Sequence, residues 1–152
     1  MPNWFFNKKE NQEKLKKEVE EWVGTPFRHY AGVKKAGADC IHFAMKVYEA
    51  IGAIKDPMRG VKYYGHDWCH HTPEQKLRNG LVVRPEFVEV GFGKEMIGDL
   101  VLYQFGRAAS HCGIYIDGNV YQSINLVGVH RVLYKDTLWA KRRRFCFRIK
   151  YV

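Results

Sequence analysis

No apolar run in the chain approaches the ~20 residues that a membrane-spanning helix needs, which excludes an integral membrane protein built on helices. The first residues, Met1-Pro2-Asn3-Trp4-Phe5-Phe6-Asn7-Lys8-Lys9, lead directly into charged sequence. They lack the apolar stretch of a secretory signal peptide, so synthesis in the cytoplasm is expected. Cysteine is sparse: Cys40, Cys69, Cys112 and Cys146 read as free thiols rather than as a disulfide framework. Internal repeats and Pro/Gly/Ser-rich tracts are missing, so residues 1–152 are read as a single domain. A phosphate-binding glycine loop, His-Glu-x-x-His and Gly-x-Ser-x-Gly are also missing, which removes three common catalytic signatures.

Acidic residues are in the minority, with 16 Asp and Glu against 25 Lys and Arg, for a net charge of +9. That excess favours anionic partners (nucleic acid, an acidic polymer or a membrane surface) without choosing among them. Its densest stretch, Lys141-Arg142-Arg143-Arg144, is too short and isolated to indicate nucleic-acid binding and reads as a solvated loop before a last strand. Abundant instead are apolar residues, at 46%, and aromatics, with 9 Phe, 4 Trp and 9 Tyr. A chain of this make-up buries a core large enough to offset its ordering entropy without a staple.

Local patterns divide the chain into helices first and strands second. Over residues 8–23, Leu15, Val19, Trp22 and Val23 recur at helical spacing, and Gly24-Thr25-Pro26 stops the helix. A second helix is predicted from Asp39 to about Ile51, with Asp39 as N-cap, Phe43, Ala44, Val47, Tyr48 and Ile51 as its buried stripe, and Gly52 just past its end. Residues 53–71 look irregular. Thr72-Pro73-Glu74-Gln75 then reads as a capping box opening a short helix that ends near Asn79-Gly80. Strand-like runs follow at 86–90, 99–104, 111–116, 119–124, 128–134 and 145–151, with Asp117-Gly118 a hairpin signal. This order predicts an α+β fold with helices packed on a mostly antiparallel sheet.

Cys40 stands out because it falls in the first turn of a predicted helix. Unpaired N–H groups and the positive end of the helix dipole favour a thiolate there, and the same N–H groups can stabilise an oxyanion. Its company is informative. Gly24-Thr25-Pro26-Phe27 precedes Asp39-Cys40-Ile41, and Gly98-Asp99-Leu100 and His111-Cys112-Gly113-Ile114-Tyr115 follow. In order and approximate spacing these segments resemble the NlpC-type cell-wall cysteine peptidases of the papain-like fold, over roughly residues 22–134. That family's pattern is Gly-Thr-Pro-Tyr, an Asp-Cys opening a helix, a Gly-Asp leading into a strand, and a His-x-Gly-Ile-Tyr strand. Residues 64–71, Tyr-Gly-His-Asp-Trp-Cys-His-His, resemble its phage and prophage branch.

The resemblance implies that Cys40 is the nucleophile of a thioester mechanism and His111 the general base. The substrate it implies is a peptidoglycan peptide, commonly cut between D-glutamate and diaminopimelate. It also implies delivery by a phage particle or secretion apparatus. The chemistry requires no metal or organic cofactor. Three residues depart from the pattern: Phe27 replaces Tyr, His42 a small residue, and Gln122 a His.

Strand geometry independently places a partner for His111. With a two-residue Asp117-Gly118 loop, Gln122 lies opposite Gly113 and diagonal to His111 on the same face. Its amide oxygen is expected to accept the Nδ1–H of the imidazole and orient the ring. A Gly118-Asn119 loop keeps these faces, whereas a three-residue loop would favour Ser123. Phe27, His29, Asp39, His42, Trp68 and His71 are the candidates for substrate-binding walls.

His66, Cys69, His70 and His71 have metal-binding chemistry but not zinc-binding spacing, and read as structural or substrate-contact residues. Asp99 reads as a turn or sheet-entry residue. Tyr63, Tyr64, Tyr103, Tyr115 and Tyr121 read as core or cleft packing rather than base stacking, so nucleic acid is not the expected partner. Two rival functions stay open: acyl transfer or ester or lipid-amide hydrolysis on the same fold, and a non-catalytic phage-tail or polymer-binding component.

Overall fold

The structure, a computed structural model, describes residues 2–59, 61 and 64–152. Helix α1, Lys9–Trp22, forms where the apolar spacing predicts it and buries Leu15, Val19 and Trp22. Val23 leaves the stripe: it is already extended (φ −56°, ψ 130°) and 37% exposed, because the helix ends one residue before it. A two-residue hairpin, β1 (Gly32–Val33) and β2 (Gly37–Ala38), leads into α2, Cys40–Ala50. The Asp39 side chain accepts the N–H of His42, as an N-cap should, and Gly52 follows the helix at φ +80°. Phe43, Ala44, Val47 and Tyr48 are fully buried beneath α2.

The expected capping box at Thr72 does not form. Thr72 Oγ1 accepts only the Glu74 N–H, and α3 begins later, at Lys76–Val82. Gln75 is diverted because its Oε1 accepts the N–H of Ala109, 3.0 Å away in the sheet. Between α2 and α3, a short 3-10 turn spans Trp68–His70. The Arg84 guanidinium ties down the loop before it through the carbonyls of Lys55, Asp56 and Pro57.

The strands are β3 (Phe87–Val90), β4 (Leu100–Phe105), β5 (Ala108–Ile116), β6 (Asn119–Ile124), β7 (Gly128–Leu133) and β8 (Arg143–Ile149). They form one six-stranded sheet in the order β3-β8-β4-β5-β6-β7, every neighbouring pair antiparallel. Asp117 and Gly118 take positive φ (48° and 83°) in the two-residue β5–β6 turn, and Ile116 pairs with Asn119.

One irregularity interrupts the sheet. Between β4 and β5 the register passes from Tyr103↔His111 to Gln104↔Ala109, so Ser110 is the extra residue of a bulge. The bulge resets the alternation of β5. Ala109 and Cys112, three positions apart, therefore both pack into the core that contains α2.

Asp99, fully buried at the start of β4, is chelated by Arg148 at 2.9 Å through two bonds and accepts the Met96 N–H. That is the sheet-entry role its position suggested. The basic cluster is solvated as expected at Lys141, Arg142 and Arg144, but the loop is shorter than expected because the last strand begins at Arg143. Lys141 and Arg142 close the turn after a short helix, α4 (Thr137–Ala140), while Arg143 and Arg144 are already strand. Arg142 lies 4.4 Å over the Phe105 ring, and Arg143 stacks on Tyr134 and bonds its carbonyl. Tyr103 and Tyr121 are buried and Tyr115 packs on Tyr134 at 4.9 Å, whereas Tyr63 lies outside the described residues.

Candidate active site

The α2 N-terminus meets the sheet at the bulge. Cys40 is the first helical residue, 8% exposed, with Sγ 3.8 Å from the Ser110 carbonyl oxygen. An N–H at this position has no intrahelical acceptor. Two residues on, Asp39 already occupies the His42 N–H.

His111, on β5 beside the bulge, presents Nε2 to Gln122 Oε1 at 2.7 Å and lines the same cleft as Cys40. The strand geometry alone led to Nδ1 as the nitrogen facing the amide. In the structure it is Nε2 that meets Gln122. A ring bonded to the amide oxygen in this way carries its proton on Nε2 when neutral. Ser123, the alternative partner, instead donates to the Ala38 carbonyl at 2.7 Å. Trp139 lies 5.3 Å from the His111 ring at 36° to it, with Tyr103 and Phe105 at 5.8 and 6.0 Å.

The electrostatics move the two groups in opposite directions. A hydrogen bond from the Cys112 thiol, followed by the charge and hydrogen bond of His111, lowers the Cys40 pKa against opposing burial and the opposing charge of Asp39. Burial alone would push His111 down. The Cys40 charge and the hydrogen bonds of Cys40 and Gln122 outweigh it and hold His111 above the ordinary imidazole value. A lowered thiol and a raised imidazole both shift toward their charged forms, the direction a thiolate nucleophile needs.

Asp39 is 4% exposed and fully engaged. One oxygen accepts the His42 N–H and faces His42 Nδ1 at 3.0 Å; the other accepts the Tyr30 N–H and the Tyr64 hydroxyl at 2.7 Å. Burial would raise this carboxyl, but the bonds from His42 and Tyr64 hold it below the usual range. Phe27, His29, Asp39 and Trp68 all line a cleft of ≈ 420 Å³ that contains Cys40 and His111.

Two expected wall residues do not join them. His42 is buried, with Nδ1 between Asp39 and the Tyr64 hydroxyl, because a side chain this close to the cap folds back onto it. His71 points away to Asp67 at 3.0 Å, and His70 lines the cleft instead. His66 packs on Phe27 and His29, and Cys69 is buried. Among the described residues no three His, Cys, Asp or Glu converge as metal ligands.

The model of the NlpC/P60 family matches residues 24–146, most of the chain and all four motif segments. The chain belongs to the NlpC/P60 family. Solved structures share its α+β fold. A lipoprotein-like NLP/P60 family protein from Staphylococcus aureus superposes with TM-score 0.70 at 16% identity, covering 100% of this chain and 45% of that one. The NlpC/p60 domain of the peptidoglycan hydrolase SagA gives 0.54 at 14%, covering 92% and 98%. The peptidoglycan hydrolase RipB of Mycobacterium tuberculosis gives 0.61 at 14%, covering 94% and 66%. The chain thus spans less than half the staphylococcal protein. The search of curated protein sequences returned no match. None of the three structures carries a phage designation.

Within this NlpC/P60 domain, three site residues have no clear signal in the sequence. Trp139 reaches His111 from α4, a four-residue helix with no periodic pattern. Tyr64 brings a hydroxyl into the cleft wall that Phe27 lacks. Cys112 is visible inside the His-Cys-Gly-Ile-Tyr segment, but only the docking of α2 against that face of β5 brings its thiol to the Cys40 carbonyl.

Proposed function

We propose that this domain is a cysteine peptidase that hydrolyses an amide bond in a peptidoglycan stem peptide. The observation that carries the reading is the Cys40 thiol at the α2 N-terminus, in one cleft with an imidazole whose Nε2 a buried amide holds at 2.7 Å. Cys40 adds to the scissile carbonyl as a thiolate, and the oxyanion forms beside its own N–H at the positive end of the helix. Protonated His111 gives its proton to the leaving amine as the C–N bond breaks, which leaves a thioester. Neutral His111 then takes a proton from water, whose oxygen displaces the thiolate and releases the acid. Gln122 keeps the ring oriented through both halves. Phe27, His29 and Trp68 form the walls against which the substrate lies.

Support for the substrate comes from SagA and RipB, which share the fold and are named as peptidoglycan hydrolases. The family resemblance points to the bond between D-glutamate and diaminopimelate. Purified cell-wall fragments incubated with the wild type and with Cys40→Ala, and read by mass spectrometry, test this. New fragments from the wild type alone are expected, and identical products from the two proteins would overturn the reading. Delivery by a phage particle or secretion apparatus belongs to the same proposal, supported by residues 64–71. It is tested by looking for the protein in purified virions and in culture supernatant.

One observation favours a second reading, acyl transfer or hydrolysis of an ester or lipid amide. An apolar cavity of ≈ 450 Å³ adjoins the cleft and shares Ile41, Tyr64 and Trp68 with it. Release of a fatty acid from a lipid amide, with no cleavage of stem peptides, would decide for it.

A further inference from the structure

We infer that Trp139 is a positioning residue for the general base: its indole, with the Tyr103 and Phe105 rings, boxes the His111 imidazole so that its plane is fixed and its protonated form favoured. The inference rests on the proposed role of His111 and deepens it. Tyr103 pairs directly with His111 across the β4–β5 ladder, and Phe105 follows two residues on; their rings lie 5.8 and 6.0 Å from the imidazole. Trp139 completes the box from α4. Its ring lies 5.3 Å from that of His111 and the two planes meet at 36°, nearer stacked than edge-on. A cation within about 6 Å of an indole face is attracted by the negative face of the π system, and a neutral ring gains much less. The Gln122 oxygen holds one atom of the imidazole, Nε2, at 2.7 Å. A single bond of that kind leaves the ring free to turn about it, and the stacked indole removes that freedom.

A four-residue helix is too short to hold an indole by itself, and here β4 holds it. Tyr103 and Phe105 meet the indole at 5.7 and 5.5 Å, with the ring planes at 78° and 70°. The Arg142 N–H donates to the Trp139 carbonyl at 2.9 Å, and the Gln104 N–H donates to the Arg142 carbonyl at 2.7 Å. The Arg142 guanidinium donates to the Gln104 carbonyl at 3.3 Å and lies 4.4 Å over Phe105. The charged and titratable groups around the imidazole are Cys40 and Asp39 at the start of α2, Tyr103 on β4, His70 of the 3-10 turn, Arg142 after α4, and Arg143 opposite Tyr103 on β8. A substitution at position 139 changes none of them, so a shift at His111 reports the indole. Burial works against the charged ring. An aliphatic residue at 139 keeps that cover and removes only the π face, which separates the two effects.

The test titrates the His111 ring by NMR in the full chain carrying Trp139→Leu, Trp139→Met or Trp139→Phe, with the signal assigned by its loss in His111→Gln. Cys40→Ala is present throughout, so that the midpoint belongs to the ring alone. Thermal melts check folding, and methionine is a second cover without a π face should the leucine variant unfold. Leucine and methionine should lower the midpoint by about one unit, whereas phenylalanine should leave it near the value with tryptophan. With Cys40 restored, cleavage of a stem-peptide fragment at a pH above the wild-type alkaline midpoint should be about tenfold slower in Trp139→Leu and should recover in Trp139→Phe. An unmoved or raised midpoint in the leucine and methionine variants overturns the inference, as does a phenylalanine variant displaced as far as leucine. Wall fragments left uncut by the wild type overturn the proposed peptidase reading and leave the titration readable. Cleavage by the wild type with a midpoint that leucine and methionine do not lower removes only the role of Trp139.

Discussion

Replacing Gln122 with leucine removes one hydrogen bond at the imidazole and little else. Gln122 is fully buried, its Oε1 sits 2.7 Å from His111 Nε2, and its Nε2 has no hydrogen-bond partner. A hydrogen bond to a charged group contributes about 1.5–3 kcal/mol, and one pKa unit corresponds to about 1.4 kcal/mol. Losing the amide oxygen should therefore lower the His111 pKa by about one to two units. The direction follows from Gln122 stabilising the protonated ring, as its hydrogen bond raises the His111 pKa.

The active pair needs a protonated His111, so activity is lost as pH rises through its pKa. In Gln122→Leu that alkaline limb should move to lower pH by the same one to two units, with kcat/KM down about 10- to 100-fold at its optimum. Leucine also removes a buried amide nitrogen that has no partner, so the melting temperature should change little. Gln122→His, which restores the residue usual in the family, should recover most of the rate. The assay is kcat/KM against pH on a stem-peptide fragment, together with NMR titration of the His111 ring, which does not depend on the choice of substrate. A variant whose imidazole titrates like the wild type's, with an unmoved alkaline limb, would refute the orienting role.

Three further outcomes are expected from the fold. Arg148→Met leaves the buried Asp99 carboxylate without its chelating guanidinium and should lower stability by about 3–5 kcal/mol, read by urea denaturation at neutral pH; a loss under about 1 kcal/mol would contradict that pairing. Gly98→Ala should cost about 3 kcal/mol, because Gly98 has φ +91° and a Cβ there would lie 2.1 Å from Phe6 Cδ2; an unchanged melting curve would show that Phe6 yields freely. Raising salt from low to about 0.3 M should weaken sedimentation with intact cell walls yet leave KM for a short uncharged peptide unchanged, and parallel salt dependence of the two would place cations in the cleft.

Legible in the sequence was whatever depends on near neighbours. The Asp39 cap, the stripe beneath α2, the Asp117-Gly118 turn and the diagonal from His111 to Gln122 all come from short-range spacing, and the geometry of each was observed. Hidden features depend on events elsewhere in the chain. Plain alternation along β5 allows for no bulge, and the small residues before His111 give no sign of one, so the placing of Ala109 on the same face as Cys112 is lost. An extended segment would send His70 and His71 to opposite sides without saying which meets the cleft. They sit at the end of a 3-10 turn, where three residues complete a revolution, so the cleft receives the first and not the second. Gln75 fits a capping box locally, but a sheet N–H competes for its side chain. Which His111 nitrogen meets Gln122 depends on where α2 docks, and no pattern within one strand encodes that.

The net charge of +9 and the cleft prove to be separate features. Among the described residues, no Lys or Arg lines the cleft around Cys40 and His111. Several of the cations have other engagements: Lys14, Lys16 and Lys34 pair with acidic residues of α1, and Arg142 and Arg144 lie over phenylalanine rings. Under the proposed peptidase reading, the excess charge acts at a distance, drawing the domain toward an anionic wall polymer with a reach of about 10 Å at 0.1 M salt. Discrimination at the bond itself falls to aromatic and histidine side chains: Phe27, Trp68, Trp139, His29 and His70. Such a cleft reads shape, stacking and neutral hydrogen bonds. A substrate carrying its charge away from the scissile bond fits both features at once, with the charge met by the outer surface and the bond held in a wall without lysine or arginine.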